Sequence, residues 1–197
     1  MLVILLRIKY PKESDEKLMH FLIKGDQKAF NEIYKRYAGP LKGYFMRMLW
    51  RDEEKAEDFM HDLFAKIIKK PDSFDINRSF KTWVYTIACN MCKNEYKKQE
   101  IRKNTSVGID QQMNVSDEKT DLIKQVELNQ FGEAFSNKLN ELEEKHREVF
   151  LLRHVEGLSI KEIAQIIEIN EGTVKSRIFY ATKKLAALLK EYKTLTH

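Results

Sequence analysis

A cluster of side chains near the C-terminus could bind phosphate and read bases. Thr173, Lys175, Ser176, Arg177, Tyr180, Lys183 and Lys184 recur at spacings that place them on one side of a helix. Lys and Arg neutralise phosphates, and both can donate to guanine edges, so such a face suits the major groove of duplex DNA. An earlier stretch carries aromatics first (Phe74, Phe80, Trp83, Tyr85) and then Asn90, Lys93, Asn94, Tyr96, Lys97 and Lys98. Aromatics beside a basic helix can stack unpaired bases while lysines follow the phosphates. Phe80 and Trp83 read better as core, whereas Asn90, Lys93, Asn94 and Lys97 read as nucleic-acid contacts. Asp58, His61 and Asp62 stand off the apolar stripe of their helix, a pattern that any solvated acidic face can give.

The two cysteines, Cys89 and Cys92, form a CxxC with no second cysteine pair and no histidine nearby. Within a helical stretch they read as small buried residues rather than as a redox or zinc pair. Paired carboxylates in a pocket-forming context, a phosphate-binding glycine loop and a nucleophile–base arrangement are all missing from the pattern. The expectation is therefore a chain with no catalytic residues, no metal site and no cofactor.

The elements that must hold these residues are helical. Ser159 is an N-cap and Glu162 completes a capping box; Ile160, Ile163, Ala164 and Ile167 give an apolar face. The helix is expected to stop near Glu168, and Asn170 to cap a second helix with Val174, Ile178, Ala181, Leu185 and Leu188 as its buried stripe. A short helix feeding a basic one is helix-turn-helix geometry. Upstream, Ser14 to Lys24 reads as a helix closed by Gly25, and Asp26 caps another that Gly39-Pro40 should kink or interrupt. Asp52 to Lys70 reads as a third, with Phe59, Leu63, Phe64, Ile67 and Ile68 apolar and Pro71 as its stop. Ser79 caps a fourth that runs to about Lys103. Glu143 to Glu156 gives a further helix, closed by Gly157. Residues 104–120 are polar without a period and read as a flexible linker. The expected domains are thus 14–103 and 121–197, after an extension over 1–13 that docks or frays.

Composition narrows the class. The 197 residues carry 43% hydrophobic residues with only 7 Gly and 3 Pro, which fits an all-α protein of two helical domains. A formal charge of +5 fits a nucleic-acid partner, while the near balance of acids and bases leaves room for a protein partner. The apolar run at the N-terminus is too short to span a bilayer and lacks the flanks of a signal peptide, so a cytoplasmic protein is expected.

The GTVKSR run from Gly172 to Arg177 resembles region 4.2 of bacterial sigma factors and, more loosely, the output domain of LuxR-type regulators. Three further stretches decide between them: residues 26–37 (DQKAFNEIYKRY), 56–64 (AEDFMHDLF) and 80–88 (FKTWVYTIA) resemble regions 2.1 to 2.4 of extracytoplasmic-function (ECF) sigma factors. The segment from Arg147 through Leu185 is similar to region 4 of that group. The resemblance implies a transcription initiation factor that binds core RNA polymerase and promoter DNA and is held by an anti-sigma factor. It places Asp58, His61 and Asp62 at the polymerase contact, though the family often has Gln-Glu where His61-Asp62 stand. It implies that the recognition helix reads the −35 element. Phe74, Asn77, Arg78, Lys81, Asn90, Lys93, Asn94 and Lys97 would then serve the −10 element as it becomes single stranded. Thr86 and Ile87 occupy the place of the tryptophan pair used by housekeeping sigma factors, which implies weaker melting and stricter promoter choice. With Glu143 or a neighbour standing where the family commonly has proline, a continuous helix in place of that turn is expected. A stand-alone helix-turn-helix regulator is the alternative; it would bind a duplex without polymerase. A module that only sequesters a protein partner would yield no transcript.

Overall fold

The computed structural model describes residues 9–105 and 135–193, and every regular element among them is helical. The domain boundaries expected at 104–120 and at 121 fall largely outside these residues, as does the apolar run at the start of the chain.

The first helix, α1 (Asp15–Ile23), is capped by Ser14, whose hydroxyl accepts from the Lys17 amide. Gly25, at φ +89°, makes the left-handed turn that ends it. Helix α2 (Gln27–Met48) begins on Asp26, whose carboxylate accepts from the Lys28 amide. It runs unbroken through Gly39-Pro40, contrary to the expected interruption. Pro40 lies on the exposed side, where water can satisfy the carbonyl its ring leaves unpaired, and buried Tyr37 and Leu41 hold the helix on either side of it. Arg36 ties the start of the chain to α2. It donates to the Asp15 carboxylate at 2.6 Å, to the carbonyl of Glu13 at 3.0 Å and to that of Tyr10 at 3.1 Å.

Helix α3 (Glu53–Lys69) starts on Asp52 and buries Ala56, Met60, Leu63, Phe64 and Ile67. Ile68, expected on the apolar stripe, is instead 53% exposed, because Met60 completes the face one turn from Phe64. A short 3-10 turn (Pro71–Ser73) leads to α4 (Phe80–Thr105). The Ser79 hydroxyl accepts from the Thr82 amide and caps it. Tyr37, Phe74 and Trp83 surround Phe80 at ring separations of 5.0–5.8 Å and weld α2, the loop and α4 into one core.

After a helical segment over 135–140, the chain turns at 141–143 and enters α5 (Glu144–Phe150). The expected continuous helix through Glu143 is therefore broken: Glu143 is extended at ψ 142° and stands as the N-cap. Beyond α5 the chain widens into a π-turn (Leu151–Val155), which ends at Gly157 with φ +70°. Then follow α6 (Ile160–Ile167) and α7 (Glu171–Lys193). Leu139, Leu142, Val149, Leu152, Ile163, Ile166, Val174, Ala181 and Leu185 form the core of this half.

The two halves touch. Helix α6 lies along α4, and Trp50 and Arg51, both with left-handed backbone between α2 and α3, sit near the junction. Trp50 packs edge-on against Tyr96 at 4.9 Å, and Arg51 donates to the Asn137 side chain at 2.9 Å.

Candidate nucleic-acid interface

The capping box is complete. The Glu162 amide donates to the Ser159 hydroxyl at 3.2 Å, and the Ser159 amide donates to the Glu162 carboxylate at 2.8 Å. Those bonds from Ser159 hold the Glu162 carboxyl below the usual glutamate range. Glu168 closes α6 in the left-handed region at φ 58°. Asn170 then accepts from both the amide and the hydroxyl of Thr173, at 2.7 and 3.0 Å, and starts α7. A Cβ at position 172 would lie 3.3 Å from the accepting oxygen of Asn170, so glycine keeps that cap undistorted.

Helix α7 is split by face. Val174, Ala181 and Leu185 are buried, whereas Lys175, Ser176, Tyr180, Lys183 and Lys184 are exposed and Thr173 and Arg177 are half-buried. Ile178 and Leu188, expected in the stripe, are only half-buried. Ser176 donates back to the Thr173 carbonyl at 3.0 Å, and Lys184 donates to the Glu141 carbonyl at 2.8 Å. Phe179, which the sequence reading left out, is 61% exposed beside Tyr180. Its place between two face positions was the available signal.

On α4, Asn90, Asn94 and Lys97 are exposed at i, i+4 and i+7, one continuous face. Lys93 is half-buried and turns toward Glu144 and Glu148 of α5. Lys81 donates to the Glu156 carbonyl at 2.5 Å. In the loop before α4, Asn77 and Arg78 are exposed. The amide and side-chain nitrogens of Asn77 donate to Asp75 at 3.0 and 3.1 Å, and Arg78 pairs with it at 3.4 Å. Those amide bonds hold the Asp75 carboxyl below its usual range. Phe74 is a correction: it is 3% exposed, sealed by Phe80 and Trp83, and so buttresses the loop rather than facing solvent. Thr86 and Ile87 are half-buried, and the Thr86 hydroxyl is spent on the Thr82 carbonyl at 2.9 Å.

Asp58, His61 and Asp62 all face solvent on α3, at i, i+3 and i+4. Around them Lys42 pairs with Glu53 and Glu57 at 3.0 Å each. The two thiols lie inside: Cys89 and Cys92 are fully buried, and the Tyr44 hydroxyl sits 3.2 Å from the Cys89 sulfur. Burial raises both thiols above their ordinary pKa, so neither offers a reactive thiolate in this arrangement. Among the described residues, no group of three or more His, Cys, Asp or Glu side chains could hold a metal ion, and no helix is long and apolar enough to cross a membrane.

A helix-turn-helix with a basic outer face, joined to a separate helical unit with a polar face on its longest helix, defines a helical DNA-binding protein of two parts. Known proteins resolve the class. The family described as Sigma-70 region 2 matches residues 33–101, and Sigma-70, region 4 matches residues 132–185. The ECF RNA polymerase sigma factor SigW of Bacillus subtilis is 33% identical over 178 residues, covering 85% of this chain and 92% of that protein. The ECF sigma-E factor of Escherichia coli is 30% identical over 87% of this chain and 92% of its own length. Among solved structures, the sigma factor RpoE of Bartonella quintana, in complex with the anti-sigma factor NepR, superposes with a TM-score of 0.64 at 27% identity, covering 83% of this chain and 98% of that one. CnrH, solved with the cytosolic domain of CnrY, shares the fold with a TM-score of 0.66, at 24% identity over 91% of this chain and 99% of its own. The chain belongs to the ECF group of sigma-70 family RNA polymerase sigma factors.

Proposed function

We propose that this chain joins core RNA polymerase through Asp58, His61 and Asp62 on α3 and directs it to promoters by reading two DNA elements. Thr173, Lys175, Ser176, Arg177, Tyr180, Lys183 and Lys184 on α7 take the −35 duplex. Asn77, Arg78, Lys81, Asn90, Lys93, Asn94 and Lys97 take the −10 strand, with Phe74 fixing the loop from beneath. The observation that carries this reading is the division of α7, whose Val174, Ala181 and Leu185 are buried while Lys175, Ser176, Tyr180 and Lys183 on its basic and hydroxyl side are exposed. Lys side chains there would supply phosphate neutralisation, and Arg177 and Ser176 base-edge contacts. Extruding a −10 base costs a few kcal/mol, which polar side chains on α4 offset by bonding it. The chain makes and breaks no bond itself; polymerase does, in the cytoplasm. The domain division falls within the segment between α4 and the helix over 135–140. An anti-sigma protein is the expected antagonist, by analogy with RpoE of Bartonella quintana, solved with the anti-sigma factor NepR.

Run-off transcription with purified core polymerase and the DNA upstream of the chain's own gene tests this. A defined transcript that needs the chain is expected; no transcript, with no co-elution with core, overturns it. Gel shifts on the same duplex separate the stand-alone regulator, which would bind equally well without polymerase.

A further inference from the structure

Beyond Cys92, helix α4 runs out of apolar core. Over residues 93–102 the one buried side chain is Glu95, a carboxylate. The half of α4 that carries Asn94 and Lys97, both assigned above to the −10 strand, is therefore seated by polar bonds and by the half-buried Tyr96 ring.

Glu95 reaches across to α3. Its Oε1 accepts from the Lys55 ammonium at 2.5 Å and from the side-chain amide of Gln99, one turn on, at 3.3 Å. Burial pushes the Glu95 carboxyl up, but the Lys55 ammonium outweighs it and holds the group below the usual glutamate range. Lys55 is itself fixed, because its amide donates to the carboxylate of Asp52, the N-cap of α3, at 3.0 Å. It stands one turn before Asp58, at the start of the face assigned to polymerase.

The corner between α2 and α3 grips the same stretch of α4. Trp50 and Arg51 are consecutive residues at φ 56° and 62°, a left-handed conformation that side-chain-bearing residues adopt only at a cost. The Trp50 ring meets Tyr96 edge-on, and the Tyr96 hydroxyl donates to the Met48 carbonyl. Tyr96 also accepts from Arg147 of the second half, whereas the bonds of Lys55 and Glu95 stay within the first.

We propose that Lys55 and Glu95 are positioning residues for promoter opening: their bond sets the angle between α3, docked on polymerase, and the half of α4 that holds the −10 strand. It rests on the assignments of Asp58, His61 and Asp62 to polymerase and of Asn94 and Lys97 to DNA. An ion pair suits this task better than apolar contact does. Apolar attraction has no direction and lets surfaces slide, whereas a charge-assisted hydrogen bond has a defined length and angle. Its net contribution to stability is small, because desolvating Glu95 offsets much of the attraction to Lys55. Orientation and stability can therefore be separated by substitution.

The test uses holoenzyme assembled from the full-length chain and purified core, on the DNA upstream of the chain's own gene. Lys55→Met/Glu95→Leu replaces the ion pair by apolar side chains of similar size and removes its direction. Permanganate reactivity at the −10 element, followed in time over a range of holoenzyme concentrations, separates affinity for the unopened duplex from the rate of opening. The double variant should open the promoter about tenfold more slowly, with affinity for core and for the unopened duplex within about twofold of wild type and a thermal midpoint no lower. Lys55→Arg, which keeps the charged bond, should open it at the wild-type rate. An unchanged opening rate in the double variant overturns the proposal. So does slower opening matched by an equal loss of core affinity or by a lower thermal midpoint, which would make the pair a brace for the fold alone. If the double variant loses helicity, Lys55→Met is measured in its place, with the same split expected and the same results overturning it. Core binding by Asp58→Lys/Asp62→Lys and promoter opening by Asn94→Ala test the two underlying assignments. Wild-type behaviour in those variants removes the assignments and the proposal with them, whereas normal opening in the Lys55/Glu95 variant alone removes only the positioning role.

Discussion

Tyr85→Phe removes a single oxygen from the junction and leaves the ring in place. The Tyr85 hydroxyl is buried and donates to the Glu156 carboxylate, and burial together with that carboxylate keeps it far from ionising. When the halves separate, both groups bond water, so the bond contributes to closure and not to the stability of either half. A hydrogen bond to a charged partner contributes about 1.5–3 kcal/mol. With roughly 1.4 kcal/mol per tenfold, its loss should raise the open population about 10- to 150-fold. The native thiols report that population. Cys92 lies against Glu148, Glu144 and Arg147 of the second half, and both thiols are buried while the halves are closed. Labelling with a chromogenic disulfide near neutral pH, in the regime where closing outruns reaction, proceeds at a rate set by the open fraction. The variant should label one to two orders of magnitude faster with unchanged far-UV dichroism. Equal labelling rates would refute the argument, as would acceleration matched by an equal drop in the urea midpoint of the first half.

Three further outcomes are expected. Replacing Asp58 and Asp62 together by Lys reverses the charge of the exposed α3 face and should abolish co-elution with core polymerase, while the thermal midpoint shifts by less than a few degrees because neither side chain is buried. Ser159→Ala deletes one arm of the capping box and should cost about 1 kcal/mol in urea unfolding of the second half, recovered in large part by Ser159→Gly. Arg177→Ala should weaken holoenzyme binding to the −35 duplex by about 1–3 kcal/mol, whereas Lys183→Ala should chiefly reduce the salt dependence of binding.

The local elements were legible because each is signalled by residues within one turn of its end. Ser14, Asp26, Asp52, Ser79, Ser159 and Asn170 all cap helices as their types suggest, and Gly25 and Gly157 take the left-handed turns. Faces were legible in part: in α6, Ile163 and Ile167 are buried as expected, but Ile160 and Ala164 are half-buried and Ile166, outside the expected face, is buried. They were misread where neighbours outside the window decide burial. Ile68 is apolar but points away from α2, and Phe74 sits in a loop that the Phe80–Trp83 pair pulls inward. Pro40 was expected to disturb α2, yet a proline facing solvent between two buried turns leaves the helix intact.

The junction between the halves was not legible at all, because its members are scattered and chemically ordinary. Glu148 and Glu156 look in sequence like the charged side of a helix, and Tyr85 and Tyr96 like core aromatics. Only the fold brings Tyr85 to Glu156 and Tyr96 to Arg147. Their polarity is itself informative. An interface meant never to open would be stabilised by replacing a buried carboxylate and guanidinium with apolar side chains, since desolvating such ions often costs more than their attraction returns. Glu148, Glu156 and Arg147 are instead buried where the two halves meet, within an apolar cluster that runs from Phe80 and Cys92 to Val149 and Ile163. The surface between the halves thus mixes apolar packing with charged groups that water can take back. That chemistry suits the proposed engagement of separate stretches of DNA by the two halves.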